Sequence, residues 1–148
     1  MRQVNTKGKF EYVDDEEHVT IVSYGDSLDQ AFEHIGNGLC EMIAPKDELG
    51  EEHTKRVSVE GETITQTLKN YLEELLNQIQ THQFVIKHIY YLVFTRTESG
   101  FKISCELVGD CDSQHHKNPK PSAIHHIGMR IELVKEPSGY EVAVNVAK

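Results

Sequence analysis

The chain has 148 residues, 38% of them hydrophobic and 26% charged, with a formal net charge of −9. That length suits one domain burying roughly two-thirds of its unfolded surface, and no apolar run approaches the ~20 residues needed to cross a bilayer. The acidity counts against direct, high-affinity nucleic-acid binding through a basic surface, though not against a protein partner that itself handles nucleic acid. It also keeps a protein soluble without any further role.

The polar stretch Met1 to Lys9 lacks the apolar core of a signal peptide. Residues 1–8 are therefore expected to be a disordered N-terminus ahead of a single domain over 9–148. Cys40, Cys105 and Cys111 are odd in number and show no CxxC spacing, which argues against a disulfide framework and for a reducing compartment. A cytoplasmic protein follows by elimination.

Phe10 to Val13 and Val19 to Tyr24 are short β-branched and aromatic runs on either side of an acidic knot, Asp14-Asp15-Glu16-Glu17-His18. They predict two extended pieces joined by a charged bend. A helix follows, with Ser27 and Gln30 spaced as a capping box and Leu28, Ala31, Phe32, Ile35, Leu39 and Met42 as one apolar stripe. Ala44 to Thr54 reads as a loop. Arg56 to Glu60 alternates like a half-buried strand ending at Gly61. The next helix starts near Thr63, with Gln66 as box partner, and buries Ile64, Leu68, Tyr71, Leu72, Leu75, Leu76 and Ile79.

Beyond Phe84 the period changes. Phe84 to Thr97 is extended, Ser99-Gly100 turns the chain, and Phe101, Ile103, Cys105 and Leu107 alternate with polar residues. Gly109 to Pro121 reads as a long polar loop. Ile127 to Leu133 and Tyr140 to Val146 form a closing hairpin through Glu136-Pro137-Ser138-Gly139. The fold class is α+β: a mostly antiparallel β-sheet packed against two α-helices.

Two polar loops could carry chemistry. Clustered carboxylates repel unless a positive charge neutralises them, so the Asp14–His18 knot reads either as a hard-cation site or as a solvated acidic turn; it lacks the spacing and central glycine of an EF-hand. The second loop holds Cys111, Asp112, His115 and His116, with His125 and His126 at the next strand. Thiolate and imidazole suit zinc, and a zinc-dependent hydrolase is one reading. Adjacent His125 and His126 face opposite sides of a strand, so at most one could join a given site. Cys111 and His115 can be drawn as a nucleophile pair, but nothing in the sequence orients them. Phosphate-binding Gly-rich loops, GxSxG and HExxH do not occur.

The ordered set Lys9-Phe10-Glu11-Tyr12-Val13-Asp14, Tyr24-Gly25-Asp26-Ser27-Leu28-Asp29-Gln30-Ala31-Phe32-Glu33 and Leu68-Lys69-Asn70-Tyr71-Leu72-Glu73-Glu74-Leu75-Leu76 resembles the archease family, and the likeness runs from Lys9 to Lys148. The resemblance implies a cytosolic, chaperone-like cofactor protein and not an enzyme. Such a protein assists the GTP-dependent, RtcB-type RNA ligase of tRNA splicing, promoting its guanylylation and turnover, and binds a divalent metal, calcium in the family. The implied metal residues are Asp14, Asp15, His18, Asn145 and Val146, and the implied partner-facing residues are His115, Lys120 and Ser122. The family's opening H-T-A-D falls on Asp15, Glu16, Glu17 and His18, so a histidine stands where the family has its metal-binding aspartate. Its closing D-I falls on Asn145-Val146, and the lysine of its V-K-A on Ser122, two residues from Lys120; His115 matches the loop histidine. Asn145 keeps an oxygen but removes a charge, which weakens calcium binding, and imidazole at His18 shifts preference toward zinc. The same departures also fit an archease scaffold reduced to a general protein-interaction module.

Overall fold

The computed structural model describes residues 2–4, 10–14, 17–43, 50–81, 84–110, 124–134 and 139–147. In chain order these are β1 (Arg2–Val4), β2 (Phe10–Asp14), β3 (His18–Gly25), α1 (Leu28–Ile43), β4 (His53–Gly61), α2 (Ile64–Gln80), β5 (Val85–Arg96), β6 (Phe101–Asp110), β7 (Ile124–Val134) and β8 (Gly139–Ala147). Within the stretch expected to be disordered, Arg2–Val4 pair antiparallel with β2 from Arg2 opposite Val13 to Val4 opposite Glu11.

The fold is α+β and the described strand pairs are all antiparallel. The strands divide into two sheets, ordered β1-β2-β3-β8-β7 and β4-β6-β5. Both helices touch both sheets: α1 packs on β3, β8 and β5, and α2 on β7, β4 and β6. Two amphipathic helices thereby serve as shared filling for two one-sided sheets.

The core is continuous across the layers. Phe32, Ile35 and Leu39 of α1 and Leu68, Tyr71, Leu72, Leu75 and Ile79 of α2 are buried with Ile21, Val142, Val144 and Val146 from one sheet. Ile89, Ile103 and Leu107 join from the other. Close approach depends on Gly36, where a Cβ would come within 2.7 Å of Ile89 Cδ1 and 2.9 Å of Tyr71 Cζ. No side chain larger than hydrogen fits between that turn of α1 and the phenol ring without displacing it.

The helix starts differ in part from the capping boxes expected. Gln30 N–H donates to Ser27 Oγ at 3.2 Å, but the Gln30 side chain accepts from Asp26 N–H at 2.9 Å, one residue earlier than a reciprocal box requires. At α2, Gln66 N–H donates to Thr63 Oγ1 at 3.0 Å, while the Gln66 amide turns forward along the helix to Asn70 Oδ1 at 2.8 Å. Gly109 and Asp110, expected to open the long polar loop, instead continue β6, opposite His53 of β4 and Val85 of β5 respectively.

The seam between α1 and β5 has the fold's least expected chemistry. β5 is an edge strand, and its outward N–H groups need acceptors. Asp29, Glu33 and Asn37, one helical turn apart, supply them: Phe94 N–H donates to Asp29 Oδ2 at 3.0 Å, Leu92 N–H to Glu33 Oε1 at 3.2 Å and Ile89 N–H to Asn37 Oδ1 at 3.0 Å. β5 is irregular there, with register shifts between Ile86 and His88 and between Tyr90 and Val93. At the second, the register leaves both Tyr91 and Leu92 opposite Cys105, a β-bulge.

Candidate functional site at one end of the five-stranded sheet

Three chain segments meet at one end of the larger sheet. β2 and β3 are joined by the acidic bend, with Asp14 opposite Val19. β8 lies along β3 with His18 opposite Ala147 and Thr20 opposite Asn145. β7 then begins with Ile124 opposite Val146 and His125 opposite Asn145. His18 and Asn145 are thus on neighbouring strands, two positions apart along the ladder.

Strand alternation sorts these residues by face. Ile21 and Ser23 point to the helices, and Ser23 Oγ donates to Ala31 O at 2.7 Å. His18 and Thr20, of opposite parity, lie on the other face together with Asn145. Asp14 pairs with Val19, so its parity is that of the helix side, and it is exposed at the strand's end. Val146 is 1% exposed and lines a small apolar gap with Ile21, Ile35, Leu39, Leu72 and Val144. Its side chain is core. Only its backbone carbonyl could serve a cation.

Asn145 carries the clearest sign of a site. Its Oδ1 is buried and has no hydrogen-bond partner among the described residues. Buried amide oxygens are nearly always satisfied, so an orphan of this kind calls for a ligand or a functional explanation. Nearby on the same outer face, Glu11 is only 3% exposed and accepts a hydrogen bond from Tyr24 Oη. Sequence reasoning misses Glu11, because in the run Phe10 to Val13 it stands where a solvated residue would. Thr20 is missed as well, since only the register shows it opposite Asn145.

Asp15, Cys111, Asp112, His115, His116, Lys120 and Ser122 lie outside the described residues, as do the side chains of His125 and His126. Among the described residues no three His, Cys, Asp or Glu side chains are grouped to hold a metal. Calcium takes six to eight oxygens, several from carboxylates. The outer-face donors described here are the Glu11 carboxylate, the His18 imidazole, the Thr20 hydroxyl and the Asn145 amide oxygen, with Asp14 on the opposite parity.

The two-sheet arrangement with shared helices defines the class: an α+β domain of two antiparallel sheets around two helices. It superposes on the solution structure of protein 1598 of Methanobacterium thermoautotrophicum with a TM-score of 0.80, covering 97% of this chain and 100% of that one at 18% identity. The sequence profile of the Archease protein family matches residues 10–146, and the chain belongs to that family. It is 29% identical over 133 residues to the protein archease of Pyrococcus abyssi, covering 88% of this chain and 92% of the relative. It is 29% identical over 144 residues to a protein archease-like of Drosophila melanogaster, covering 92% and 88%. No described helix is long and apolar enough to cross a membrane.

Proposed function

We propose that this chain is a cytoplasmic, non-enzymatic protein cofactor of a GTP-dependent, RtcB-type RNA ligase in tRNA splicing, promoting the ligase's guanylylation and turnover by protein–protein contact. The observation that carries the reading is the family match over residues 10–146. The convergence of the β2–β3 bend, the end of β8 and the start of β7 supports it by gathering His18, Thr20 and Asn145 into one docking end. His115, Lys120 and Ser122 belong to the segment that leads into β7, and in this reading they face the ligase. The net charge of −9 suits contact with a protein over direct contact with RNA. A divalent cation held at this end, in the same reading, is one that accepts imidazole, zinc before calcium.

Incubating the host's ligase with GTP, with and without the protein, and quantifying the guanylylated ligase tests the proposal. A rise in guanylylated ligase and in ligation cycles per ligase molecule is expected. Unchanged levels at equimolar protein would overturn the proposal and favour the general interaction module, which the altered H-T-A-D and D-I positions otherwise motivate.

A further inference from the structure

Among the described residues the exposed large apolar side chains are Tyr90, Tyr91 and Val93, at 38%, 74% and 48%, all on one stretch of β5. The two tyrosines adjoin through their rings at 6.0 Å between centroids, and His88 adds a third ring 5.4 Å from Tyr90. Single exposed apolar residues need no explanation, but a contiguous aromatic cluster on a largely polar sheet face does. Elsewhere on that outer face Arg56 is paired to Glu106 at 3.3 Å, Ser58 lies beside Ser104, and Val108 is half-buried.

Tyr91 is held at φ 55°, the one positive φ found at a non-glycine among the described residues. For a bulky aromatic this left-handed conformation is costly. It does nothing for the core, since the ring is mostly in solvent. The bulge turns one aromatic outward beside a second, so that strain and exposure coincide at one residue.

Carboxylates border the cluster, one of them, Glu106, already paired to Arg56. Tyr90 is opposite Glu106 in the ladder. Glu51 and Glu33 are near enough to act on its phenol, which partial burial and these charges push above its ordinary value. Alongside, the N–H groups of Phe94, Leu92 and Ile89 are already taken by Asp29, Glu33 and Asn37. A partner therefore cannot join by adding a strand through those groups, and recognition has to go through side chains. Aromatic faces bordered by negative charge are matched by a planar cation. Guanidinium stacks on a ring and forks to a carboxylate, which an ammonium does less well. Phosphate is repelled by the same border.

We propose that the Tyr90–Tyr91–Val93 bulge on β5 is a second docking surface, which takes an arginine-bearing segment of a protein partner. It lies on the three-stranded sheet, apart from the end of the five-stranded sheet where the ligase is placed, and does not depend on that assignment.

The test is a titration of the isotopically labelled full chain, followed by amide NMR, with a capped Arg-Gly-Gly repeat peptide, its lysine counterpart and oligouridylate. Shifts confined to 88–93, Glu51 and Glu33, and roughly threefold to tenfold tighter for arginine than for lysine, are expected. Shifts spread equally over Glu73 and Glu74 of α2, or no binding, would overturn the proposal as general attraction to an acidic protein. Oligouridylate occupying the cluster would make it an RNA site, and concentration-dependent shifts without peptide would make it a contact between copies; either result overturns it. Tyr91→Gly and Tyr91→Asn, both tolerant of positive φ, are expected to keep or raise Tm while weakening the peptide roughly threefold to tenfold. Retained binding in both variants, or a lowered Tm in both, would overturn it.

Discussion

The α1–β5 seam and the open end of the five-stranded sheet treat buried polar groups in opposite ways. Along the seam each outward N–H of Ile89, Leu92 and Phe94 meets an oxygen from Asn37, Glu33 or Asp29 within 3.2 Å. At the sheet end Asn145 Oδ1 is buried without a partner among the described residues. Matched groups hold an edge strand to a helix. An unmatched one costs about 1–3 kcal/mol of desolvation and is retained where something outside the fold requires it. Tyr71 Oη, in the core, is the counter-case: it too is buried without a partner among the described residues, so an unmatched oxygen marks a contact only where it lies at the surface end of the fold.

Breaking the seam should have the largest effect. Asn37→Leu leaves the N–H of Ile89, itself 2% exposed, without its acceptor; a loss of about 2 kcal/mol is expected in urea unfolding. The reverse holds at the sheet end. Asn145→Val removes a polar atom that has no described partner, so stability is expected to stay constant or rise by up to about 1 kcal/mol. Ligase stimulation by that variant is expected to fall. Stability lost at Asn145, or kept at Asn37, would erase the contrast.

Between these in size lies an alkaline effect at the bulge. Burial, then the charge of Glu33, pushes the Cys105 thiol up from 9.0 to about 12, with Arg56 opposing. A thiol whose folded value lies above its unfolded one contributes stability that is complete below pH 9 and lost as pH rises toward 12. The loss approaches ~1.4 kcal/mol for each pH unit above 9. Unfolding measured between pH 9 and 10 should show stability falling as pH rises, a slope to which Tyr12 and Tyr71, also raised by burial, add, and Cys105→Ala should reduce it.

Much of the fold is legible in the sequence because it rests on local pattern. The stripes Leu28 to Met42 and Ile64 to Ile79 fall on α1 and α2, and the alternation from Phe101 to Leu107 falls on β6. The division into two sheets is not legible, since alternation fixes which face of a strand is buried and leaves its neighbours open. Asp29, Glu33 and Asn37 read as the solvated side of a helix, and only the path of β5 makes them acceptors. Resemblance named His18 and Asn145, and the pairing of β3 with β8 sets them at one sheet end. The buried state of Glu11 and the placing of Thr20 beside Asn145 depend on long-range register, which spacing along one strand cannot show.

Synthesis runs from the N-terminus, so residues 28–43 leave the ribosome well before residues 85–96. The helix that shields the outer rim of β5 is therefore already in hand when that rim emerges. A nascent chain need not carry a bare, adhesive strand border while waiting for a cover still to be translated.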